Sequence, residues 1–543
     1  MQASEKLTAQ KNLFSGVFVL TLSTISVKII GLIYKIPMLA YLGSEGMGYF
    51  NSAYEIYALF CVISTAGLPV ALSVLISGAI ARGEAHAVKR IYRAAVVIFL
   101  LLGITGSGIM LFFARWFCRL IQSDNAYFAI LSIAPTVFLI CVSSGLRGYF
   151  QGYQRMLPTA ISQLIEALGK LAFGLLLARY ALDQGYETPI VAAYAGIGLT
   201  LGTLLSVFYL LIEKRRFQGK ALHNASRTQP GYKSVWRATL RLAVPMTLGA
   251  SLVSLTKLID MTMILRRLQA IGYSEVLANR AYGSYTTLAL SVFGLLPTLL
   301  NSVALPLIPS LSGAIAANDL QKQSQMVRLS YRLTAIFAIP ASIGIAAFAT
   351  PVLNLLFAHD AEAVQIAGPL LSYLGVSVFL SCMIAATNSV LHAYQIVNRP
   401  ILAMAIGATV KIVSAYFLIG NASIGLLGAP ISTFLCNLTV VLLNLYFSSK
   451  ICEIPDLFSL LMRPMIASSI SVGIGFLGYR YFAVQISATA PLTLVVLGVI
   501  AILYFVLACL TQTIRAEDIL VMPMGGGLCK FLKRIHLIRN NVS

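Results

Sequence analysis

Long apolar segments follow one another along the whole chain, and a short polar stretch separates each from the next. A helix that crosses a membrane needs about 20 mainly apolar residues. The pattern predicts fourteen such spans, at residues 13–42, 51–80, 94–114, 126–146, 157–181, 189–212, 238–265, 282–311, 333–357, 364–390, 400–419, 424–448, 464–483 and 489–512. We therefore expect an all-α polytopic membrane protein.

The composition agrees with this pattern. Of 543 residues, 58% are apolar and 10% are charged, whereas a soluble domain has about 25% charged residues. Lys and Arg number 39 against 18 Asp and Glu, for a net charge of +21. Apolar runs separate these basic residues, so no exposed basic face is available for nucleic acid. The eight cysteines have no CxxC or metal-ligand spacing and are interpreted as small core residues.

The distribution of basic residues predicts the orientation in the membrane. With fourteen spans, 27 Lys and Arg fall on the side of the N-terminus, 7 on the opposite side and 5 within spans. Cytoplasmic loops carry the excess of Lys and Arg. We therefore expect both termini, the basic loop 214–237 and the basic tail 514–543 to be cytoplasmic.

The tail contains a second basic signal. Residues 528–535 have apolar residues at helical spacing, with basic residues between them. This pattern predicts a short helix on the anionic inner leaflet. A disordered basic tail that serves only topology is the alternative.

Motifs of enzymatic chemistry are missing from the sequence. It contains no GxxxxGK[ST] phosphate loop, no HExxH and no convincing nucleophile elbow. No outer loop is long enough for a catalytic domain. We expect neither an enzyme nor a cofactor or metal requirement.

The chain also contains an internal repeat. Ser77–Ala81 recurs as Ser312–Ala316, at an offset of 235. Further matches follow in the same order at offsets of 237 to 241: Leu68-Pro69 with Leu305-Pro306, Tyr92-Arg93 with Tyr331-Arg332, Tyr153-Gln154 with Tyr394-Gln395, and Lys170 with Lys411. A duplicated six-span unit predicts two lobes related by a pseudo-twofold axis along the membrane normal. The expected division is an N-lobe 1–213, a cytoplasmic loop 214–237, a C-lobe 238–450, two extra spans in 451–513 and a tail 514–543.

Five lysines lie within predicted spans, where a charge costs about 2.5 to 3.5 kcal/mol. Lys28 and Lys35 are seven residues apart, so they share one helix face and differ in depth by about 10 Å. This spacing predicts a cationic cavity for a dianionic or trianionic group. Snorkelling or a partner on another helix is the alternative.

The other intramembrane charges allow two interpretations. Lys170, Lys257 and Lys411 are further candidates for substrate binding. However, Glu166 with Lys170 and Lys257 with Asp260 have the spacing of structural ion pairs within a helix. Glu55 is either a site residue or an interfacial charge, with the second favoured. The three carboxylates Glu55, Glu166 and Asp260 are also candidates for coupling to an ion, H⁺ or Na⁺.

Helix-breaking residues occur at equivalent places of the two copies. Gly67 and Pro69 follow the middle of span 2, whereas Pro297 and Pro306 lie in span 8. Such breaks persist in membranes where the backbone is buried in protein or lines a cavity. We therefore predict hinges at these four residues, with static kinks as the alternative.

Several motifs resemble a known family. Gly43-Ser44-Glu45-Gly46-Met47-Gly48, Gly67-Leu68-Pro69-Val70-Ala71 and Leu146-Arg147-Gly148-Tyr149-Phe150-Gln151-Gly152-Tyr153-Gln154 are similar to the stage V sporulation protein B branch of the MATE-like polysaccharide-exporter (MOP) superfamily, which includes the lipid II flippase MurJ. The resemblance implies two six-helix lobes, two extra helices that form a groove for a polyprenyl tail, and alternating access. Lys28, Gly31 and Lys35 match the basic first helix that this family has facing the cavity.

Together these features predict a flippase in the bacterial cytoplasmic membrane. It would move an undecaprenyl-diphosphate-linked sugar, a peptidoglycan precursor of the lipid II type, from the inner to the outer leaflet as a monomer. Lys28 and Lys35 would hold the diphosphate. The alternatives are an exporter of another lipid-linked polysaccharide, a multidrug or cation antiporter of the same fold and, from another class, a membrane glycosyltransferase.

Overall fold

The computed structural model describes residues 2–217, 231–304, 307–396, 398–485 and 489–513. Within these ranges the chain is helical and contains no β-strand. The helices are α1 Gln2–Thr65, α2 Leu68–Ala81, α3 Ala85–Phe112, α4 Ala114–Ile121, α5 Tyr127–Gly152, α6 Leu157–Asp183, α7 Thr188–Arg216, α8 Tyr232–Ala270, α9 Glu275–Ser284, α10 Leu290–Ala304, α11 Leu307–Ala316, α12 Leu320–Leu356, α13 Ala361–Ala393, α14 Asn398–Ile419, α15 Gly428–Ser449, α16 Leu457–Gln485 and α17 Thr489–Leu510. The all-α prediction is confirmed.

The structure has twelve candidate membrane spans within the described residues. The first, Leu22–Ala81, has 60 residues, enough for more than one pass of about 20 residues. Predicted span 8 corresponds mainly to α10 and α11, which have 15 and 10 residues and are too short to count singly. The count of fourteen therefore stays a prediction.

The chain reverses direction inside α1 at Gly43. Its φ of 62° and ψ of 175° belong to a region that is essentially restricted to glycine. Tyr34 and Phe50 are sixteen residues apart, a separation of about 24 Å along a straight helix. Their ring centroids are nevertheless 6.4 Å apart. Hence α1 consists of a first arm, residues 2–42, and a second arm, residues 44–65, that folds back on it.

The described chain divides into two compact units, unit 1 ending at Thr287 and unit 2 beginning at Leu288. Unit 1 contains α1 to α9, and its helices approach closely through small residues. A Cβ atom on Gly169 of α6 would lie 2.7 Å from the Cα of Gly202 of α7. Between α1 and α9, a Cβ on Gly283 would overlap the carbonyl oxygen of Ser44. Small residues at such contacts let helix backbones pack tightly in a membrane.

Unit 2 contains α10 to α17. Its longest helices begin at aspartate caps, because the Asp319 and Asp360 carboxylates accept hydrogen bonds from the third amide that follows. The hydroxyl of Tyr504 in α17 donates to the carbonyl of Ile336 in α12 at 2.6 Å. Helix α17 is thereby tied to α12.

The internal repeat is visible in how equivalent helices end. Gln154 and Gln395, which follow α5 and α13, have left-handed φ values of 57° and 61°. Gly83 and Asn318, which follow α2 and α11, also have positive φ values of 75° and 52°. Such residues end helices in the two units in the same way.

Parts of the predicted organisation lie outside the described residues. These parts are residues 218–230 of the basic loop, Pro306, and the tail 514–543 with its predicted amphipathic helix. The lobe boundaries remain a prediction. Helix α5 extends beyond the predicted span 126–146, so Arg147 lies inside the helix and is buried.

Candidate substrate site

Lysines from α1 and α8 of unit 1 lie within electrostatic range of one another. The Lys35 ammonium on the first arm interacts electrostatically with the Glu55 carboxylate on the second arm and with Lys257 of α8. Lys28, about two turns before Lys35, is also repelled by Lys257. The structure thus assembles three of the predicted substrate-binding lysines, and it places Glu55 beside them.

Lys170 of α6 occupies a cage of aromatic rings. Its Nζ lies 4.8 Å from the ring centroid of Tyr34, 5.6 Å from that of Phe50 and 4.8 Å from that of Tyr54. These distances are typical of cation–π contacts. Because Tyr34 belongs to the first arm of α1 and the other two rings to the second, Lys170 contacts both arms.

Glu166 forms its short ion pair with Arg147, which sequence analysis missed as a site residue. The Arg147 Nη2 donates to Glu166 Oε2 at 2.8 Å and to Ser206 Oγ at 3.2 Å, and its Nε donates to Ser162 Oγ at 2.9 Å. The pair therefore joins α5, α6 and α7. Glu166 also interacts electrostatically with Lys170. The sequence contains an indication of this pair, because a carboxylate inside the membrane requires a partner and Arg147 lies on the preceding helix.

Neutral polar groups border Lys35 and were also missed. Lys35 Nζ donates to the carbonyl oxygen of Thr286 at 3.3 Å. Asn51 Nδ2 donates to the hydroxyls of Thr286 and Thr287, each at 2.8 Å. Both threonines lie in a π-helical turn, Tyr285–Ala289. Nothing in an apolar sequence indicates where an α-helix will widen into a π turn.

The remaining predicted residues are distributed as follows. Asp260 of α8 and Glu55 both lie within electrostatic range of Tyr282 of α9, so we include Asp260 in the same group. Lys411 lies in α14, which belongs to unit 2, and is half-buried there.

The four hinge candidates differ in what the structure shows of them. Helix α1 ends at Thr65 and α2 begins at Leu68, so Gly67 lies at a true break. A Cβ on Gly67 would overlap the carbonyl oxygen of Ala243 in α8, and Pro69 contacts Gly148 of α5. Pro297 lies inside α10. Hinge motion at these residues stays a prediction.

We call the connected charges of unit 1 the charge cluster. It comprises the cations Lys28, Lys35, Arg147, Lys170 and Lys257 and the carboxylates Glu55, Glu166 and Asp260. Among these eight groups of the described residues, five cations and three carboxylates leave a surplus of two positive charges. A group with this surplus inside a membrane protein favours an anionic ligand.

Comparison with known proteins gives the chain a family. A polysaccharide biosynthesis protein model matches residues 13–315, and a MatE model matches residues 245–417. Stage V sporulation protein B of Bacillus subtilis (strain 168) is 25% identical over 448 residues, which cover 82% of this chain and 85% of that protein. The lipid II flippase MurJ of the same organism is 23% identical over 419 residues, which cover 74% and 76%.

A solved structure agrees with the sequence relatives. The lipid II flippase MurJ in an inward closed conformation superposes with a TM-score of 0.69 at 16% identity, covering 90% of this chain and 98% of that one. The matched residues 13–315 make up more than half of the chain. The protein is therefore a multi-pass membrane protein that belongs to the polysaccharide biosynthesis protein family and has the fold of MurJ.

Proposed function

We propose that the protein is a flippase for an undecaprenyl-diphosphate-linked sugar, a peptidoglycan precursor of the lipid II type, which it moves from the inner to the outer leaflet by alternating access. In this proposal it works as a monomer in the bacterial cytoplasmic membrane, with both termini cytoplasmic. Sequence relatives that include a lipid II flippase support the substrate class.

The observation that carries the proposal is the grouping of Lys257 with Lys28 and Lys35, because the charge of Lys257 opposes both of theirs. Like charges held close together inside a membrane protein are costly. An anion placed between them converts this repulsion into attraction. A diphosphate suits the surplus of two positive charges in the charge cluster, whereas an organic cation would add to the surplus.

Ammonium groups bind phosphate oxygens through charge-assisted hydrogen bonds, each contributing about 1.5 to 3 kcal/mol. We therefore expect Lys28→Ala and Lys35→Ala each to weaken substrate binding about tenfold to a hundredfold. Lys→Arg at either position should retain much of the function, because the charge and the donors remain.

The test uses purified full-length protein in liposomes that contain the radiolabelled lipid-linked precursor. We expect the wild type to move the precursor between leaflets without forming a new glycosidic bond, and Lys28→Ala/Lys35→Ala to lose this activity. Lys89→Ala provides the matched control, because Lys89 is exposed on the first turns of α3. Normal flipping by the double variant would refute the cationic site, and formation of polymer would indicate a glycosyltransferase.

A second lipid in the same liposomes tests the sugar. An undecaprenyl-diphosphate-linked oligosaccharide unrelated to peptidoglycan should be moved more slowly than the precursor. Equal or faster movement would assign the protein to another polysaccharide.

A further inference from the structure

Unit 1 ends in the π-helical turn Tyr285–Ala289, which continues into unit 2. The helix before this turn, α9, is fixed against α1 by the backbone contact between Gly283 and Ser44. π turns inserted in α-helices are frequent at functional sites. The turn is thus the first segment beyond a firmly packed helix, at the point where the chain leaves unit 1.

Three side-chain hydrogen bonds from α1 hold this turn. Lys35 on the first arm donates to the Thr286 carbonyl oxygen at 3.3 Å, and Asn51 on the second arm donates to the hydroxyls of Thr286 and Thr287 at 2.8 Å. One of these donors is also the lysine proposed to hold the diphosphate. The turn and the substrate site therefore share Lys35.

We propose that Asn51, Thr286 and Thr287 are positioning residues that couple occupancy of the substrate site to the π turn. This inference rests on the proposed function, because it takes a diphosphate as the ligand of Lys35. When the site is empty, Lys35 and Asn51 together hold the turn in its π-helical form. When a diphosphate binds, Lys35 turns to the phosphate oxygens and the turn loses the Lys35 hydrogen bond.

The relative strengths of two hydrogen bonds determine whether Lys35 binds the Thr286 carbonyl or the phosphate. The Lys35 bond to the Thr286 carbonyl is long at 3.3 Å, whereas an ordinary N–H···O bond is about 2.9 to 3.0 Å. A phosphate oxygen is charged, so its bond to an ammonium group is shorter and stronger than one to a neutral carbonyl. The diphosphate therefore displaces the carbonyl, and the bonds from Asn51 to the turn remain.

The variant Thr286→Val/Thr287→Val removes both hydroxyl acceptors of Asn51 with little change in shape. Thr286→Ser/Thr287→Ser is the matched control, because it keeps both hydroxyls. Each is purified as the full chain in lipid nanodiscs. The readouts are binding of undecaprenyl diphosphate, flipping of the lipid-linked precursor, and hydrogen–deuterium exchange of peptides that contain residues 285–289.

In the wild type, we expect undecaprenyl diphosphate to accelerate exchange in the turn at least threefold. In the valine variant, exchange should already be fast and should not respond to the lipid, flipping should fall at least tenfold, and binding should change less than threefold. The serine variant should behave as the wild type. A merely structural role would instead lower binding and flipping together.

The possible results separate this inference from the proposed function. If the wild type does not bind undecaprenyl diphosphate, the proposed function fails and the coupling fails with it. If the wild type binds and flips but the lipid leaves exchange in the turn unchanged, or if the valine variant flips normally, only the coupling is wrong.

Discussion

The two units carry copies of one repeat, yet equivalent positions in the two copies have side chains of different charge. Lys170 of unit 1 and Lys411 of unit 2 are 241 residues apart. At this offset Arg147 corresponds to Asn388, and Glu166 corresponds to Gly407. The buried ion pair of unit 1 is thus replaced by an amide and a glycine.

The structure shows how unit 2 fills these positions with neutral groups. Asn388 Oδ1 accepts a hydrogen bond from Asn444 Nδ2 at 2.8 Å. A Cβ on Gly407 would overlap the side chain of Val440. Because an equivalent arrangement folds with neutral residues, the fold itself does not require the ion pair of unit 1.

The largest expected effect comes from breaking the ion pair. Arg147 and Glu166 side chains are 11% and 21% exposed, and removing one member of such a buried pair leaves the other charge without its short ion pair. Arg147→Asn or Glu166→Gly alone should lower the free energy of unfolding by about 3 to 5 kcal/mol. Thermal unfolding in detergent, together with the amount of protein in membranes, measures the loss.

The double variant Arg147→Asn/Glu166→Gly reproduces the residues of unit 2 in unit 1. It should be more stable than either single variant, because neither charge remains buried alone. If the two losses add instead, the ion pair is not the source of the effect. Asn388→Ala in unit 2 is the matched control, with an expected loss of about 0.5 to 1.5 kcal/mol.

A smaller effect is expected at the reversal of unit 1. Gly43→Ala should cost about 1 to 3 kcal/mol, because alanine is strained at a φ of 62° and ψ of 175° although space is free around the Cβ position. Gly344 in α12 of unit 2 also has free space but lies within a helix. Gly344→Ala should therefore stabilise by about 0.5 to 1 kcal/mol. The same measurement of unfolding should give opposite signs for the two substitutions.

The sequence predicts the helices well, because each apolar segment must satisfy its own backbone hydrogen bonds in the membrane. It also gives the repeat, whose copies end helices at Gln154 and Gln395 in the same way. It does not give the pairing of charges. Spacing along one helix suggested Lys170 as the partner of Glu166, but the short bond of Glu166 crosses to Arg147 of α5.

The reason is geometric. A one-dimensional pattern shows which residues share a helix face, but contacts between helices depend on where the chain reverses. Tyr34 and Phe50 come together only because Gly43 folds the second arm back onto the first. The cage of Lys170 and the contact of Lys35 with Thr286 depend on tertiary packing in the same way.

The smallest expected effect concerns Lys170, the repeat equivalent of Lys411. Lys170 contacts rings on both arms of α1, and a cation–π contact shielded from water contributes about 0.5 to 2 kcal/mol. Removing Lys170 also relieves its repulsion from Lys35, so the stability of a single variant understates the energy of the cation–π contact.

A double-mutant cycle of Lys170→Met with Tyr54→Leu isolates the energy of this contact and should give a coupling energy of about 0.5 to 2 kcal/mol. Lys170→Arg should retain most of this coupling. A zero coupling energy for Lys170 and Tyr54, measured in a folded protein, would mean that the cage does not hold the two arms together.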